Sequence, residues 1–352
     1  MGYAAYGPLG TTAWTGGNTI SGSGTTSSPT IYKGYVFNGA MTISGSNLEF
    51  ISCDFNSGGG GVDVQGSNIT FKGDRFQSNA TGNNNAGYNI QTEGTNLTFS
   101  YVSVTPLASQ YTAPPGAAWP SAGAGANSIT MTDNVNAIPD SSQYQYGFSI
   151  QGGGPITIDH SDFWGSGNDA IQWLAPTTAQ MTITNNWIHD AANDDPKQLG
   201  NHTDGIGYVN GQAGPSNILI QGNTIASLGN TNGIAFQQAT SGYKNIQIIG
   251  NYLSGYGYTM DGGQPGNTPL TNSSFTDNVY GTDIEPYWGP LYGWTTGGGN
   301  VWKCNKLNIV PGTNYTDGGD NWKPVASYNG QYWIPTSSIN STTDYSGNTT
   351  CP

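Results

Sequence analysis

Positive charge is scarce in this chain. Its 352 residues include seven Lys and a single Arg, Arg75, against 21 carboxylates, for a formal net charge of −13. Phosphates are neutralised by clustered Lys and Arg, so nucleic acid and anionic membranes are excluded as partners. Strongly anionic polymers are disfavoured for the same reason, unless bound calcium supplies the cation that each carboxylate would otherwise take from an Arg fork. Cysteine is equally sparse: Cys53, Cys304 and Cys351 are the whole set. The two late cysteines flank the C-terminal tail and are expected to pair across it, while Cys53 sits where a small buried apolar residue is tolerated. No apolar run is long enough to span a bilayer, and no segment has the 3.6-residue period of a long amphipathic helix.

What the chain does have is a recurring phrase. It reads Asn47-Leu48-Glu49-Phe50, Asn68-Ile69-Thr70-Phe71, Asn96-Leu97-Thr98-Phe99, Pro155-Ile156-Thr157-Ile158, Gln180-Met181-Thr182-Ile183, Asn217-Ile218-Leu219-Ile220 and Asn245-Ile246-Gln247-Ile248, with a degenerate copy at Asn272-Ser273-Ser274-Phe275. Within each copy the apolar residues alternate, the period of a half-buried strand. The starts lie 21, 28, 59, 25, 37, 28 and 27 residues apart, and the short steps suit one turn of a three-sided coil. Six residues after each start stand Cys53, Asp74, Val102, Ser161, Asn186, Asn223, Asn251 and Asn278, so the last four coils share an Asn that can stack into a ladder. With 54 Gly and 12% aromatic residues, the composition suits short strands, tight turns and a real core. The expected fold is all-β: a right-handed parallel β-helix over residues 1–310 with an N-terminal cap to about residue 30, long loop insertions, and a tail at 311–352 packed on the helix.

Two steps exceed the basic period and point to loops projecting from the coil, at roughly 104–146 and 190–203. The second holds Asp190, Asp194, Asp195, Lys197 and His202 and opens into Thr203-Asp204-Gly205-Ile206. Aligning coils by their apolar residues brings Asp169, Asp204 and Asn232 into register, about 4.8 Å apart at the backbone. Two carboxylates so placed cannot both ionise freely, and one acid beside one carboxylate is what glycoside hydrolysis requires. The competing reading is an Asp/Asn ladder that binds turn amides or calcium. Trp173, Tyr208 and Phe236 follow the stacked residues at a constant offset, as an internal aromatic row or an external sugar platform. Trp164, Trp187, Trp288 and Glu285 are further candidates for contact with sugar.

His202-Thr203-Asp204-Gly205-Ile206 resembles the Asn-Thr-Asp-Gly signature of polygalacturonase-type β-helix glycoside hydrolases, within the wider pectate-lyase-like superfamily. The resemblance implies a catalytic Asp204 with Asp169 in the neighbouring-coil role. The order of the two coils is reversed and the Gly-His-Gly and Arg-x-Lys motifs are missing, which argues against a galacturonate polymer. The leading expectation is therefore a monomeric, cofactor-free hydrolase of a neutral or weakly charged polysaccharide. Asp169 and Asp204 would be its acid pair, His202 would tune one of them, and Asp190, Asp194 or Asp195 would assist. From fold and composition a secreted, extracellular bacterial protein is expected, with Met1-Gly2-Tyr3 following a removed signal. A lyase or epimerase would instead use His202 or Lys197 to abstract a proton beside a uronate carboxylate, with calcium on Asp190, Asp194 and Asp195. A non-catalytic glycan-binding spike or adhesin is the third alternative.

Overall fold

A computed structural model describes residues 9–57, 60–78, 88–106, 146–151, 154–164, 169–173, 180–189, 203–208, 214–227, 229, 231–236, 243–262, 270–281, 284, 286, 288–294, 298–307, 322–324, 333–335 and 351. Among these, all strands except an antiparallel pair in the tail fall into three parallel sheets, and each sheet takes every third strand of the chain. The chain therefore winds as a solenoid with three strands per coil. Sheet A has 11 strands, from Thr12–Ala13 to Lys306–Leu307. Sheet B has ten, from Thr19–Ile20 to Gly289–Trp294, and sheet C has ten, from Thr30–Lys33 to Val301–Lys303. This is the right-handed parallel β-helix that the repeat implied, its hand being that of parallel crossovers generally. The phrase itself is sheet C: Leu97 pairs with Ile69 and Ile156, and Phe99 with Phe71 and Ile158.

Alternation buries one side of every strand. On sheet A the inward row runs Phe37, Phe55, Phe76, Val104, Phe163, Ile188, Ile225, Leu253 and Tyr280, all at or below 1% exposure. Like residues on successive coils meet at coil spacing, so the early coils form aromatic stacks: Phe37–Phe55 and Phe55–Phe76 at 4.7 Å, Phe50–Phe71 at 4.9 Å and Phe71–Phe99 at 4.8 Å between ring centroids. Burial of one such ring contributes roughly 2 to 3 kcal/mol, and the repetition sums this along the rod.

Sheet C turns into sheet A through two residues. The first has left-handed backbone: Ser52, Gly73, Tyr101, His160, Asn185, Gly222, Gly250, Asp277 and Cys304 carry φ between 48° and 68°. The second is the buried ladder residue. In the late coils the Oδ1 of Asn223 accepts the main-chain N–H of Asn186 (2.9 Å) and its Nδ2–H (3.0 Å), while Asn223 Nδ2 donates to Ile183 O and Asn251 Oδ1, both at 2.9 Å. Asn251, Asn278 and Asn305 repeat the pattern. The Asn ladder legible in the sequence is thus present and extends one coil further. The Asn that opens most phrases has its own reason: Asn47, Asn68, Asn96, Asn217, Asn245 and Asn272 adopt φ between 48° and 60°, a region Asn tolerates better than most residues.

Cys304 and Cys351 form the expected disulfide across 47 residues, and Cys53 is free and buried. Thr12–Ala13 and Thr19–Ile20 open the first coil by pairing in parallel with the second. In the tail, Trp322–Pro324 and Trp333–Pro335 pair antiparallel with each other, apart from the three parallel sheets. The expected boundary at residue 310 falls outside the described residues.

Candidate functional site

Both long insertions leave the ends of sheet A strands, Ser103–Pro106 and Trp187–His189, and return as sheet B strands, Tyr146–Ile150 and Ile206–Tyr208. Chemistry on this part of the rod therefore sits beside the junction of sheets A and B.

On the sheet B side, the register predicted from sequence holds. Ile171 pairs with Ile206 and Ile206 with Ile234, which stacks Asp169, Asp204 and Asn232 two residues before them. Asp169 Oδ1 accepts the Asp204 amide at 3.2 Å, and its Oδ2 accepts Gln172 Nε2 at 2.7 Å. Asp204 Oδ1 accepts Thr231 Oγ1 (2.6 Å), the Asn232 amide (2.7 Å) and Asn232 Nδ2 (3.0 Å). A strict two-residue alternation would turn Asp204 inward with Ile206, but a Cβ placed on Gly207 would lie 2.8 Å from Asp204 Oδ2, so the carboxylate lies on the Gly207 side. Gly205 is required by space: a Cβ there would sit 2.5 Å from the Gly233 carbonyl oxygen.

Asp169 and Asp204 are nevertheless 0% exposed. That corrects the expectation of a carboxylate pair opening side by side into a solvent-filled cleft. Each spends acceptor capacity on the amide of the next coil, so the pair forms rungs that hold successive turns in register, as the ladder alternative proposed.

The outer face of sheet A carries a different arrangement. With Ile188 turned into the core, Trp187 and His189 project outward, and Asp162 is the Cα partner of Trp187 on the coil before. His189 Nε2 lies 2.8 Å from Asp162 Oδ1, and the His189 ring stacks on Trp187 with centroids 3.6 Å apart and planes 18° apart. Asp162 is 23% exposed and His189 5%. A carboxylate that close orients an imidazole and fixes which ring nitrogen bears the proton. At the corner just before Asp162, Asp159 Oδ2 is 2.6 Å from His160 Nδ1, while its Oδ1 accepts Thr184 Oγ1 and Asn185 Nδ2. Partial burial pushes the Asp159 carboxyl up, but those hydrogen bonds and the charge of His160 outweigh it and hold the group below the usual carboxylate range.

Of the other residues singled out by sequence, Trp164 is the Cα partner of His189, and Trp173 that of Tyr208. The side chains of these Trp164, Trp173 and Tyr208 positions, and the whole of Asp190, Asp194, Asp195, Lys197, His202 and Glu285, lie outside the described residues. Phe236, third in the aromatic row, is fully buried. Trp288 is half-buried against Tyr258, their centroids 5.2 Å apart. Among the described residues no group of three or more His, Cys, Asp or Glu is placed to hold a metal ion. Asp162, His189, Asp159 and Tyr101 were not assigned roles from sequence. The available signal was that two of the three histidines, His160 and His189, each stand next to an Asp in the sequence, between the two insertions.

No known family profile matches this chain, and no curated protein matches it. Among solved structures, it is similar to the crystal structure of the Dettilon tailspike protein, with a TM-score of 0.38 and 13% identity over 77% of this chain and 60% of that one. The chain thus spans 60% of the length of that tailspike, and its fold assignment stands on its own strand pairing.

Proposed function

We propose that this chain is an extracellular glycan-binding β-helix that takes a neutral or weakly charged polysaccharide across the outer face of sheet A. The observation that supports it most is the grouping of half-exposed Trp187 with His189 and Asp162 beside the two insertions. A flat aromatic surface next to a partly exposed carboxylate, held in place by the buried imidazole, offers a sugar ring both an apolar face and a hydroxyl partner. The shortage of base favours a polymer without dense negative charge. Secretion and a monomeric state belong to the same reading, the first supported by the Cys304–Cys351 disulfide.

Cleavage of the bound polymer is the finer reading, favoured by the 2.8 Å contact of His189 and Asp162. In it Asp162, positioned by His189 and in place of Asp169 and Asp204, carries the proton to or from the glycosidic oxygen. Calcium on Asp190, Asp194 and Asp195 belongs to the lyase alternative. The test is gel retardation and reducing-end release on a panel of xylan, mannan, β-glucan and agarose, with ultraviolet absorbance to reveal an unsaturated product and light scattering to give the oligomeric state. Trp187→Ala is expected to weaken retardation, and Asp162→Asn to reduce release without abolishing binding. Retention of the full wild-type behaviour by both variants contradicts the assignment. Chelator-sensitive ultraviolet absorbance would replace hydrolysis with lysis.

A further inference from the structure

We infer that Tyr101 and His160 form a second sugar-contacting platform, at the corner where sheet C turns into sheet A. The inference rests on the reading above that the chain binds a glycan, and it adds a subsite that the strand pattern alone does not disclose.

The corner is a place where rings are costly. Its first residue has left-handed backbone, at 55° for Tyr101 and 48° for His160, and a bulky side chain is strained there. Other coils fill the position with Gly73, Asn185, Gly222, Gly250 or Asp277, residues that suit it, or with the small Ser52 and Cys304. Yet two consecutive coils present rings, which stack with centroids 5.0 Å apart and planes 23° apart. Neither ring belongs to the apolar core, and both are half-exposed. Strain retained on the surface without a gain in core packing points to a use outside folding.

The surroundings suit a pyranose. Asp159 anchors the His160 ring through Nδ1, and Thr184 and Asn185 hold Asp159 in turn, so the imidazole is fixed rather than free to rotate. One coil earlier the corner residue is Gly73, which has no side chain to stand over the second face of Tyr101. The result is a flat aromatic surface rimmed by an imidazole and a carboxylate. Only Ser161 separates His160 from Asp162, so this platform adjoins the sheet A surface and would take the next sugars of the same chain.

The test replaces each ring with Asn, the residue that the coil after His160 carries at this position as Asn185. Tyr101→Asn and His160→Asn are run beside wild type and Trp187→Ala in affinity gels containing xylan, mannan, β-glucan or agarose, with thermal melting measured on the same samples. The expected result is melting at or above the wild-type temperature, with retardation weakened roughly fivefold for Tyr101→Asn. Unchanged retardation in both corner variants, with Trp187→Ala impaired, overturns this inference and leaves the sheet A reading standing. Melting that falls in step with retardation also overturns it, because the rings would then be structural. Failure of wild type to be retarded by any of the four polymers overturns both readings.

Discussion

Two corners of the coil hold neighbouring turns together with different side chains, and the ladders run in opposite senses. Between sheets C and A, each Asn donates its amide and side chain forward to the Oδ1 of the Asn on the next coil. At the entry to sheet B, each Asp accepts backward, from the main-chain N–H of the coil that follows. An Asn is donor and acceptor at once, so its row needs only more Asn and the carbonyls already present. An Asp accepts only, so its row ends or must be supplied by other donors, here Gln172, Thr231 and Asn232. From Asn186 to Asn305 the first ladder is self-sufficient and uniform. The second depends on its local polar surroundings, beside which the insertions enter.

The largest expected effect comes from forcing one chemistry into the other row. Asn223→Asp sets an acceptor oxygen against Ile183 O and Asn251 Oδ1 in a buried site, and should cost about 3 kcal/mol or more in denaturant unfolding, less in acid where the new carboxyl is protonated. The reverse change, Asp204→Asn, preserves the Oδ1 that accepts three hydrogen bonds and should cost only about 1 kcal/mol. Equal losses would remove the distinction between the two ladders.

A second prediction sharpens the placement of Asp204. Gly207→Ala brings a methyl group to 2.8 Å from its Oδ2 and should destabilise by about 2 kcal/mol. In an Asp204→Ala background the same change should cost clearly less, and strict additivity in the double-mutant cycle would show that the two do not touch.

A third prediction is spread over pH. Asp74 occupies the Asn row of the C-to-A corner in an early coil, where its oxygens accept the amides of Cys53 (2.6 Å) and Lys72 (2.9 Å). Burial pushes its carboxyl from 3.8 up to about 8, against the pull of those hydrogen bonds. The folded state therefore holds this proton more tightly than the unfolded chain. Stability from this group is full below 3.8, declines as pH rises and is lost through about 8. Asp159, held low, acts with the opposite sign and loses its contribution as pH falls. Asp74→Asn should flatten the decline of stability between mildly acidic and mildly alkaline pH. An unaltered slope would contradict the assignment to Asp74.

Much of this architecture was legible in the residues. The six-residue offset disclosed the Asn ladder because each rung repeats one residue type at one position, and alternation disclosed the core rows for the same reason. Register alone also brought Asp169 over Asp204. Their exposure was not legible, since it depends on what packs over the outside of a sheet, and strand periodicity carries no information about that. Tyr101 and His160 were missed for a related cause. Only their neighbours, Gly73, Asn185 and Gly222, reveal that the position is left-handed, and a ring there stands out only after the coils are aligned one residue before the ladder.

The central claim is that the stacked aspartates hold the coil together while the outer face of sheet A meets the glycan. The most direct test is to measure retardation by the preferred polymer, together with melting temperature, for Trp187→Ala and Asp204→Asn. The account predicts binding weakened roughly tenfold at unchanged melting temperature for Trp187→Ala, and wild-type binding for Asp204→Asn. Wild-type binding by Trp187→Ala, with Asp204→Asn folded but unable to bind or cleave, would contradict it.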